Sequence, residues 1–372
     1  MFWRQPCALG RRTTRQGGIP SARILFSRGC QGVAGTNSSP DRRVGVVLFQ
    51  LGGPDSLNAI EPFLYNLFCD PDIIDFPFAR LAREPLARLI SSRRARKVAR
   101  HYQEIGGKSP IGEITARQAR ALETELSKSF VARVVVAMRY WHPLTEAAIR
   151  ELAAFAPEEI VLLPLYPQYS STTTGSSLNE WHRQFPPRQS AAVHLIRDFH
   201  DCPLYLDALV ERIEQGLERF RRSNGHAARV PSDVHLLFSA HSIPLSVIHR
   251  GDPYQLQIEA TVKSVMELGR WTNPHSLCYQ SRSGPGRWLQ PFIHETLQEI
   301  AARGAERVLV VPIAFVSDHV ETLHEINIEA RELAQNLGIQ QFETMEGLND
   351  SPSFITALAD LVRRKVAVKV PS

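Results

Sequence analysis

The sequence predicts an α/β fold of two Rossmann-like lobes, each a four-stranded parallel sheet flanked by helices, with the active-site cleft between them. A chain of 372 residues is longer than one hydrophobic core usually requires, which favours two lobes. From residue 44 onward, short runs rich in Val, Ile and Leu alternate with helical stretches, as in parallel sheets buried on both faces. A weak internal repeat, Glu-Ile-Val-Leu-Leu-Pro at 159–164 and Arg-Val-Leu-Val-Val-Pro at 307–312, supports the division.

The apolar runs define the predicted strands. They lie at residues 44–51, 131–138, 160–165, 193–196, 234–240, 276–280, 307–313 and 340–344. Helical segments separate them, so each crossover is expected to form a right-handed βαβ unit. We assign residues 44–202 to the N-terminal lobe with its ligand lip, 203–345 to the C-terminal lobe, and 346–372 to a C-terminal helix that packs back on the first lobe. Ligands of such sheets bind beyond the carboxyl ends of the strands.

Residues 1–43 are predicted to be a leader or a disordered tail. Residues 1–40 contain six arginines and no acidic residue, a composition that also suits an organelle transit peptide. Without these arginines the net charge falls from +5 to −1, so the folded part has no electrostatic footprint for nucleic acid.

The remaining composition excludes several other classes. Five scattered cysteines without a C-x-x-C pair indicate a reducing compartment rather than a disulfide framework or a zinc site. The longest apolar runs fall far short of the roughly 20 residues that a membrane-spanning helix needs. The glycines at 52–53 form neither a G-x-G-x-x-G fingerprint nor a P-loop, so nucleotide binding is not predicted.

The strongest candidate side chains follow the fifth and seventh strands. His241 stands at the end of the fifth strand, and Asp318 and His319 follow the seventh. The next helix has a row of carboxylates opposite its apolar stripe, at Glu321, Glu325, Glu329 and Glu332. This row fits a solvated face, with Asp318 and Glu321 as a capping box, or a path for a cation or protons. Neutral His and carboxylate are suitable ligands for Fe²⁺.

Two further stretches indicate an apolar ligand or a lipid surface. Residues 73–90 are apolar and aromatic and precede a cluster of cations at 93–100. This pattern suits a membrane interface, a flat apolar ligand that bears carboxylates, or an amphipathic helix packed on its own lobe. The loop at 280–289 carries Trp288, which we expect to stack on a ligand.

From about residue 44 to the C-terminal helix, the chain resembles the ferrochelatase family. The matching motifs lie at residues 51–54, 102–110, 139–140, 166–169, 174–177, 239–242, 250–254, 284–288 and 315–323. The resemblance implies two Rossmann-like lobes that hold a porphyrin. It also implies a metal chelatase (a lyase) that inserts Fe²⁺ into protoporphyrin IX with release of two protons, the last step of haem biosynthesis.

The resemblance also implies roles for individual residues. His241 and Glu321 match the central catalytic pair that meets the metal, and Asp318, His319 and Glu325 match the residues that support it. The implied porphyrin-binding positions are Leu51, Arg93, Arg94, Tyr102, Ser109, Arg139, Tyr140, Trp288 and Phe315. Which of His241 and Glu321 is the base and which guides the metal stays open at this stage.

One departure concerns cofactors. Animal-type members carry a [2Fe–2S] cluster held by one cysteine in a Tyr-Ser-Cys-Ser-Thr loop and three in a C-terminal extension, whereas residues 169–172 here are Tyr-Ser-Ser-Thr and no cysteine follows Cys278. We therefore expect no cluster and no other permanently bound cofactor, with Fe²⁺ as substrate. A cluster-free enzyme favours the bacterial cytoplasm, with peripheral membrane contact through residues 73–90. The mitochondrial matrix is the alternative if the leader is a transit peptide.

Two alternative functions remain. The chain could be a chelatase for coproporphyrin or another tetrapyrrole. It could also belong to a different class, as a non-catalytic carrier of porphyrin or metal. The sequence does not decide between a monomer and a homodimer.

Overall fold

Two four-stranded sheets, all of whose strands are parallel, form the centre of the fold. The computed structural model describes residues 41–72, 79–185, 191–224, 232–282 and 286–367. The strands are β1 Arg43–Gln50, β2 Val131–Met138, β3 Glu159–Pro164, β4 Ala192–Leu195, β5 His235–His241, β6 His275–Gln280, β7 Arg307–Pro312 and β8 Gln341–Thr344. Every strand end lies within one residue of its predicted position, and the predicted fold class is confirmed.

Both sheets have the same strand order. The first is β2-β1-β3-β4 and the second is β6-β5-β7-β8, so β1 is equivalent to β5 and β3 to β7. The repeated sequences at 159–164 and 307–312 are β3 and β7, which explains why the two halves resemble each other. The central strands are buried on both faces. Gly45 in β1 allows the helix at Thr145–Phe155 to approach closely, because a Cβ at Gly45 would lie 2.6 Å from the Leu152 side chain.

Helices cover the sheets. Those of the described residues are α1 Ile60–Phe68, α2 Ala79–Glu104, α3 Ile111–Leu126, α4 Thr145–Phe155, α5 Ser176–Gln184, α6 Pro203–Asn224, α7 Leu245–His249, α8 Tyr254–Gly269, α9 Ile293–Ala302, α10 Arg331–Asn336 and α11 Pro352–Ala367. Two segments are π-helical, Ser171–Gly175 before α5 and Glu321–Ala330 before α10. The second replaces the ordinary helix that the apolar stripe predicts.

A large hydrophobic core contains residues from both sheets and from the helices α6 and α11. Helix α11 packs against α3 and α6, and its Arg363 donates to the Glu125 carbonyl oxygen at 2.9 Å. The described residues belong to one compact unit, Ser38–Ser372. The lobe boundary at residue 202 stays a prediction, and the predicted leader lies, apart from residues 41–43, outside the described residues. None of the described helices is both long and apolar enough to cross a bilayer.

Candidate active site

The His241–Glu321 pair lies where two neighbouring strands end. His241 is the last residue of β5, and Glu321 begins the π-helical segment that follows β7, the strand beside β5. The His241 Nδ1 atom lies 2.9 Å from the Glu321 Oε2 atom. Because a carboxylate only accepts hydrogen bonds, Nδ1 carries the proton and the neutral ring keeps its lone pair on Nε2. The His241 side chain is 35% exposed, against 17% for Glu321.

The charges of the pair stabilise each other. Burial alone would lower the pKa of His241, but the Glu321 carboxylate, with Glu325 behind it, outweighs burial and raises that pKa. Burial would likewise raise the pKa of Glu321, but His241 and then His319 hold it well below its usual range. The histidine is therefore a stronger base than a free imidazole, and its partner stays a carboxylate.

Asp318 and His319 lie beside the pair in different roles. The His319 Nδ1 atom donates to the Ser317 carbonyl oxygen at 3.0 Å, which leaves its Nε2 atom 4.0 Å from Glu321 Oε2. The Asp318 carboxylate instead accepts from the side chains of Thr322 at 3.1 Å and Asn349 at 2.8 Å. Asp318 thus ties the start of the π-helical segment to the loop after β8, and the capping box with Glu321 does not form.

Phe315 bridges two of these histidines. Its ring centroid lies 4.6 Å from that of His319 and 6.4 Å from that of His241. The structure therefore places Phe315 beside the central pair, and its role in porphyrin binding stays a prediction.

Glu325 extends the site from the central pair toward the surface of the protein. In a π-helix the hydrogen bonds join residues five apart, and such segments occur often at functional sites. The Ser281 hydroxyl donates to the Glu325 carboxylate. Burial, and then the neighbouring Glu321 charge, raise the pKa of Glu325 to about 7. This carboxyl group can therefore both accept and release a proton near neutral pH.

A cavity of about 420 Å³ lies at the outer end of this row. Its lining includes Glu325 and Glu329, Ser281 after β6, and His101 and Lys97 of α2. Neither His241 nor Glu321 lines it. The carboxylates thus extend from the central pair to a separate cavity.

Several predicted porphyrin positions share one apolar cluster. Leu51, Tyr102 and Tyr140 pack together with Val320, the residue before Glu321. Burial, and then the Glu321 charge, raise the pKa of Tyr102, so its phenol stays protonated. Their role in porphyrin binding stays a prediction.

Arg139 and Tyr140 have partners inside the protein. The Arg139 Nη2 atom lies 2.9 Å from Asp70 Oδ1, and the Tyr140 hydroxyl donates to Asp70 Oδ2 at 2.5 Å. Ser176 donates to the same oxygen at 2.5 Å. Arg139 and Tyr140 are thus anchored by a buried carboxylate.

The other predicted positions lie in different environments. Ser109 is buried against Gly53, where a Cβ would lie 2.6 Å from the Ser109 hydroxyl. Arg93 and Arg94 are exposed on α2, and Arg94 lies over the Phe68 ring. Trp288 is buried beside Pro244, and its indole N–H has no hydrogen-bond partner among the described residues. Residues 73–78 of the predicted apolar lip lie outside the described residues.

The sequence prediction missed three residues. Gln280 lies directly opposite His241 in the ladder, and its Nε2 atom donates to the Glu321 carbonyl oxygen at 3.4 Å. The Tyr254 hydroxyl donates to the His241 carbonyl oxygen at 3.0 Å. The position of Gln280 at a strand end is a signal that could have identified it. Asp70 and Tyr254 follow no strand, and nothing in their spacing indicates these contacts.

The chain is similar to known proteins in sequence and in fold. The family model described as Ferrochelatase matches residues 43–366. The ferrochelatase of Aquifex aeolicus is 45% identical over 324 residues, which are 87% of this chain and 99% of that protein. The ferrochelatase of Synechococcus elongatus is 46% identical over 328 residues, covering 87% and 82%. The solved structure of SirB from Bacillus subtilis with Fe³⁺ shares the fold, with a TM-score of 0.52, 11% identity, and coverage of 87% of this chain and 95% of that one.

Proposed function

The chain belongs to the ferrochelatase family, and from this premise we propose that it inserts Fe²⁺ into protoporphyrin IX to give protoheme and two protons. The observation that supports this most directly is the His241–Glu321 pair at the ends of adjacent strands. A porphyrin must lose two pyrrole protons as the metal enters, so the reaction needs a base whose proton can then leave.

His241 is that base. Its Nδ1–H donates a hydrogen bond to Glu321, so the lone pair is on Nε2, and Nε2 is the atom that accepts a pyrrole proton. The carboxylate stabilises the imidazolium that forms more strongly than it stabilises the neutral ring, because a charge–charge attraction is added to the hydrogen bond. Each pyrrole nitrogen keeps the electron pair of its N–H bond and uses it to bind Fe²⁺.

The carboxylate row removes the protons. Glu325, whose pKa lies at about 7, stands between the pair and the outer cavity. A proton that leaves His241 passes through Glu325 to the solvent of that cavity, and the cycle repeats for the second pyrrole. Asp318 and Gln280 position this row through their hydrogen bonds, without contact to the reacting atoms.

Protoporphyrin IX is the proposed substrate because it is the less polar candidate. It carries two carboxylates, and coproporphyrin carries four. In α2 the exposed Leu86 and Leu89 offer apolar surface to the ring, and the exposed Arg88 and Arg93 lie beside them as partners for its carboxylates. The same surface supports a peripheral membrane contact, since the porphyrin dissolves poorly in water. The relatives come from bacteria, which supports a cytoplasmic location over the mitochondrial matrix.

The proposed enzyme holds no [2Fe–2S] cluster. Ser171 stands in the loop where animal-type members carry a cysteine, and its backbone N–H and hydroxyl donate to Asp252 at 2.7 and 2.8 Å. Burial raises the pKa of Cys278 to about 12, which disfavours the thiolate that a cluster needs.

Anaerobic insertion by the purified chain tests this proposal. Fe²⁺ and Co²⁺ are each supplied with protoporphyrin IX or coproporphyrin III, and the product is followed by its absorbance. We expect protoheme formation, with a higher kcat/KM for protoporphyrin IX. A preference for coproporphyrin would overturn the substrate, and bound porphyrin without insertion of either metal would indicate a carrier.

A further inference from the structure

We propose that Gln118 and Asn349 are positioning residues for the reaction. They fix the loop between β7 and the π-helical segment, and this loop places the Glu321 carboxylate beside its histidine partner. Both act through Ser317 and Asp318, not by contact with the substrate. Their effect on turnover rests on the proposed function, whereas the structural coupling does not.

Gln118 is a polar residue on an apolar face of α3. It lies between Ile114 and Leu122, one helical turn from each, and all three side chains are buried. Its Nε2 atom donates to the Ser317 hydroxyl oxygen at 3.0 Å and to the Asn349 carbonyl oxygen at 2.8 Å. A buried amide is tolerated only where such bonds satisfy it, so this position serves hydrogen bonding and not packing alone. Because Ser317 follows β7 and Asn349 follows β8, one side chain ties α3 to the loops after two adjacent strands.

Asn349 binds the same loop through both its backbone and its side chain. Its backbone φ is +47°, in the left-handed region that asparagine adopts more readily than most residues. In this conformation its N–H donates to the Val316 carbonyl oxygen at 2.7 Å. Its side chain accepts from the Asp318 backbone N–H at 3.0 Å and donates to the Asp318 carboxylate at 2.8 Å. Asn349 therefore holds the residues on both sides of Ser317.

The Asp318 carboxylate accepts hydrogen bonds from three parts of the protein. Besides Asn349, the Thr322 hydroxyl donates to it at 3.1 Å and the Gly347 N–H at 3.2 Å. A carboxylate with several donors is fixed in position, because any movement breaks more than one charge-assisted hydrogen bond. Asp318 therefore transmits the position of Asn349 to the start of the π-helical segment.

This loop leads directly to the central pair. The Ser317 carbonyl oxygen accepts from His319 Nδ1 at 3.0 Å, and Glu321 follows Asp318 within one helical turn. The Glu321 Oε2 atom lies 2.9 Å from His241 Nδ1, and the proposed proton transfer depends on this distance. A remote substitution that misplaces a reacting group by about 1 Å can lower a rate about 100-fold. The two positioning residues can therefore affect turnover without touching the reacting atoms.

Hydrogen exchange and turnover of two full-length variants test the proposal. Gln118→Met keeps the length of the side chain but removes its amide. Asn349→Gly adopts the same φ without strain and loses only the side chain. Both variants should speed amide hydrogen exchange in residues 317–323 at least roughly tenfold, measured by mass spectrometry. In both, kcat for Fe²⁺ insertion should fall about 10- to 100-fold, while the porphyrin KM stays within about twofold.

Arg117→Gln and Arg363→Met are the matched controls. Arg117 adjoins Gln118 and pairs with Asp350 at 3.1 Å, an exposed bond that also joins α3 to the loop after β8. Arg363 of α11 donates to the Glu125 carbonyl oxygen in the last turn of α3. Both controls should keep wild-type kcat and wild-type exchange in the loop, although Arg363→Met should lower Tm. They therefore separate a loss of stability from a loss of position.

Unchanged kcat in both Gln118→Met and Asn349→Gly would overturn the proposal, and so would unchanged exchange in both. An equal fall of kcat in Arg363→Met would also overturn it, because the effect would then come from lost stability. Asn349 is partly exposed, so Asn349→Gly decides the test if Gln118→Met does not fold. If the wild-type chain inserts no metal, the proposed function fails, whereas the exchange measurement still decides whether the two residues fix the loop.

Discussion

The carboxyl ends of the two sheets have the same strand order but differ in how their polar groups are used. After the first sheet, Arg139 and Tyr140 are bound to the buried Asp70, and their hydrogen-bonding capacity is directed inward. After the second sheet, His241 and Glu321 pair with each other, and the His241 Nε2 atom has no hydrogen-bond partner among the described residues. A strand end therefore provides a position for a site, and the local partners determine whether that position supplies stability or chemistry.

Removing the carboxylate of the central pair should have the largest effect. Glu321→Gln keeps the size of the side chain but removes the charge that stabilises protonated His241, so we expect kcat to fall by about 10²- to 10⁴-fold. The pKa of His241 should fall as well, which NMR titration of its ring would detect. Glu299→Gln, in an exposed pair on α9, is the control and should keep normal turnover. A loss of kcat below threefold in Glu321→Gln would contradict the assignment.

In the equivalent region of the first sheet, removing a carboxylate should lower the free energy of unfolding instead of kcat. Asp70→Asn removes the nearer charge partner of Arg139 and leaves only Glu180 at 3.8 Å, and breaking a buried pair typically lowers the free energy of unfolding by about 3–5 kcal/mol. Urea unfolding measures this, with the exposed Glu146→Gln as a control expected to change it by less than about 0.5 kcal/mol. If the Asp70→Asn protein is as stable as wild type but does not insert the metal, this strand end supplies chemistry and not stability, which would contradict the comparison.

The same carboxylate predicts a pH dependence of folding. Burial would raise the pKa of Asp70, but the hydroxyls of Ser176 and Tyr140 and the Arg139 charge together lower it below 3.8. The stabilisation is thus fully present above the unfolded pKa and is lost as the pH falls through the folded pKa. Acid unfolding of Asp70→Asn should therefore show a weaker pH dependence below about pH 4 than wild type. If wild type and Asp70→Asn show the same pH dependence of acid unfolding, the charge of Asp70 is not the source of this stability.

Glu325→Gln should have a smaller effect, confined to the second sheet. The wild-type kcat should rise as the pH passes through about 7, because Glu325 must be deprotonated to accept the next proton. In the Gln variant the contribution of Glu325 to this limb should disappear, so that only the titration of His241 remains, and the plateau should fall by roughly tenfold. A pH–rate profile across pH 5.5–9 checks this, with the ionic strength held constant. An unchanged limb near pH 7 would show that another group carries the protons.

The strand pattern predicted most of the fold, because buried parallel strands have an unambiguous composition. His241 and Glu321 could be identified because the strand ends of one sheet converge, whereas Phe315 was identified only through the family resemblance. The π-helical form of Glu321–Ala330 could not be identified, since Ile326 and Ala330 fit the core stripe of an ordinary helix equally well. The contact between His101 and His324 was also beyond reach, because it depends on how α2 packs against a segment more than 200 residues away.

Single-turnover insertion of Fe²⁺ by two histidine variants tests the central claim most directly. His241→Ala removes the base at the end of β5, and His194→Ala removes a histidine of β4, whose Nε2 atom lies 2.9 Å from Glu159 in the first sheet. With porphyrin binding measured by fluorescence, we predict that His241→Ala binds porphyrin normally but forms no detectable protoheme, while His194→Ala stays within twofold of wild type. Near-normal insertion by His241→Ala would contradict the account.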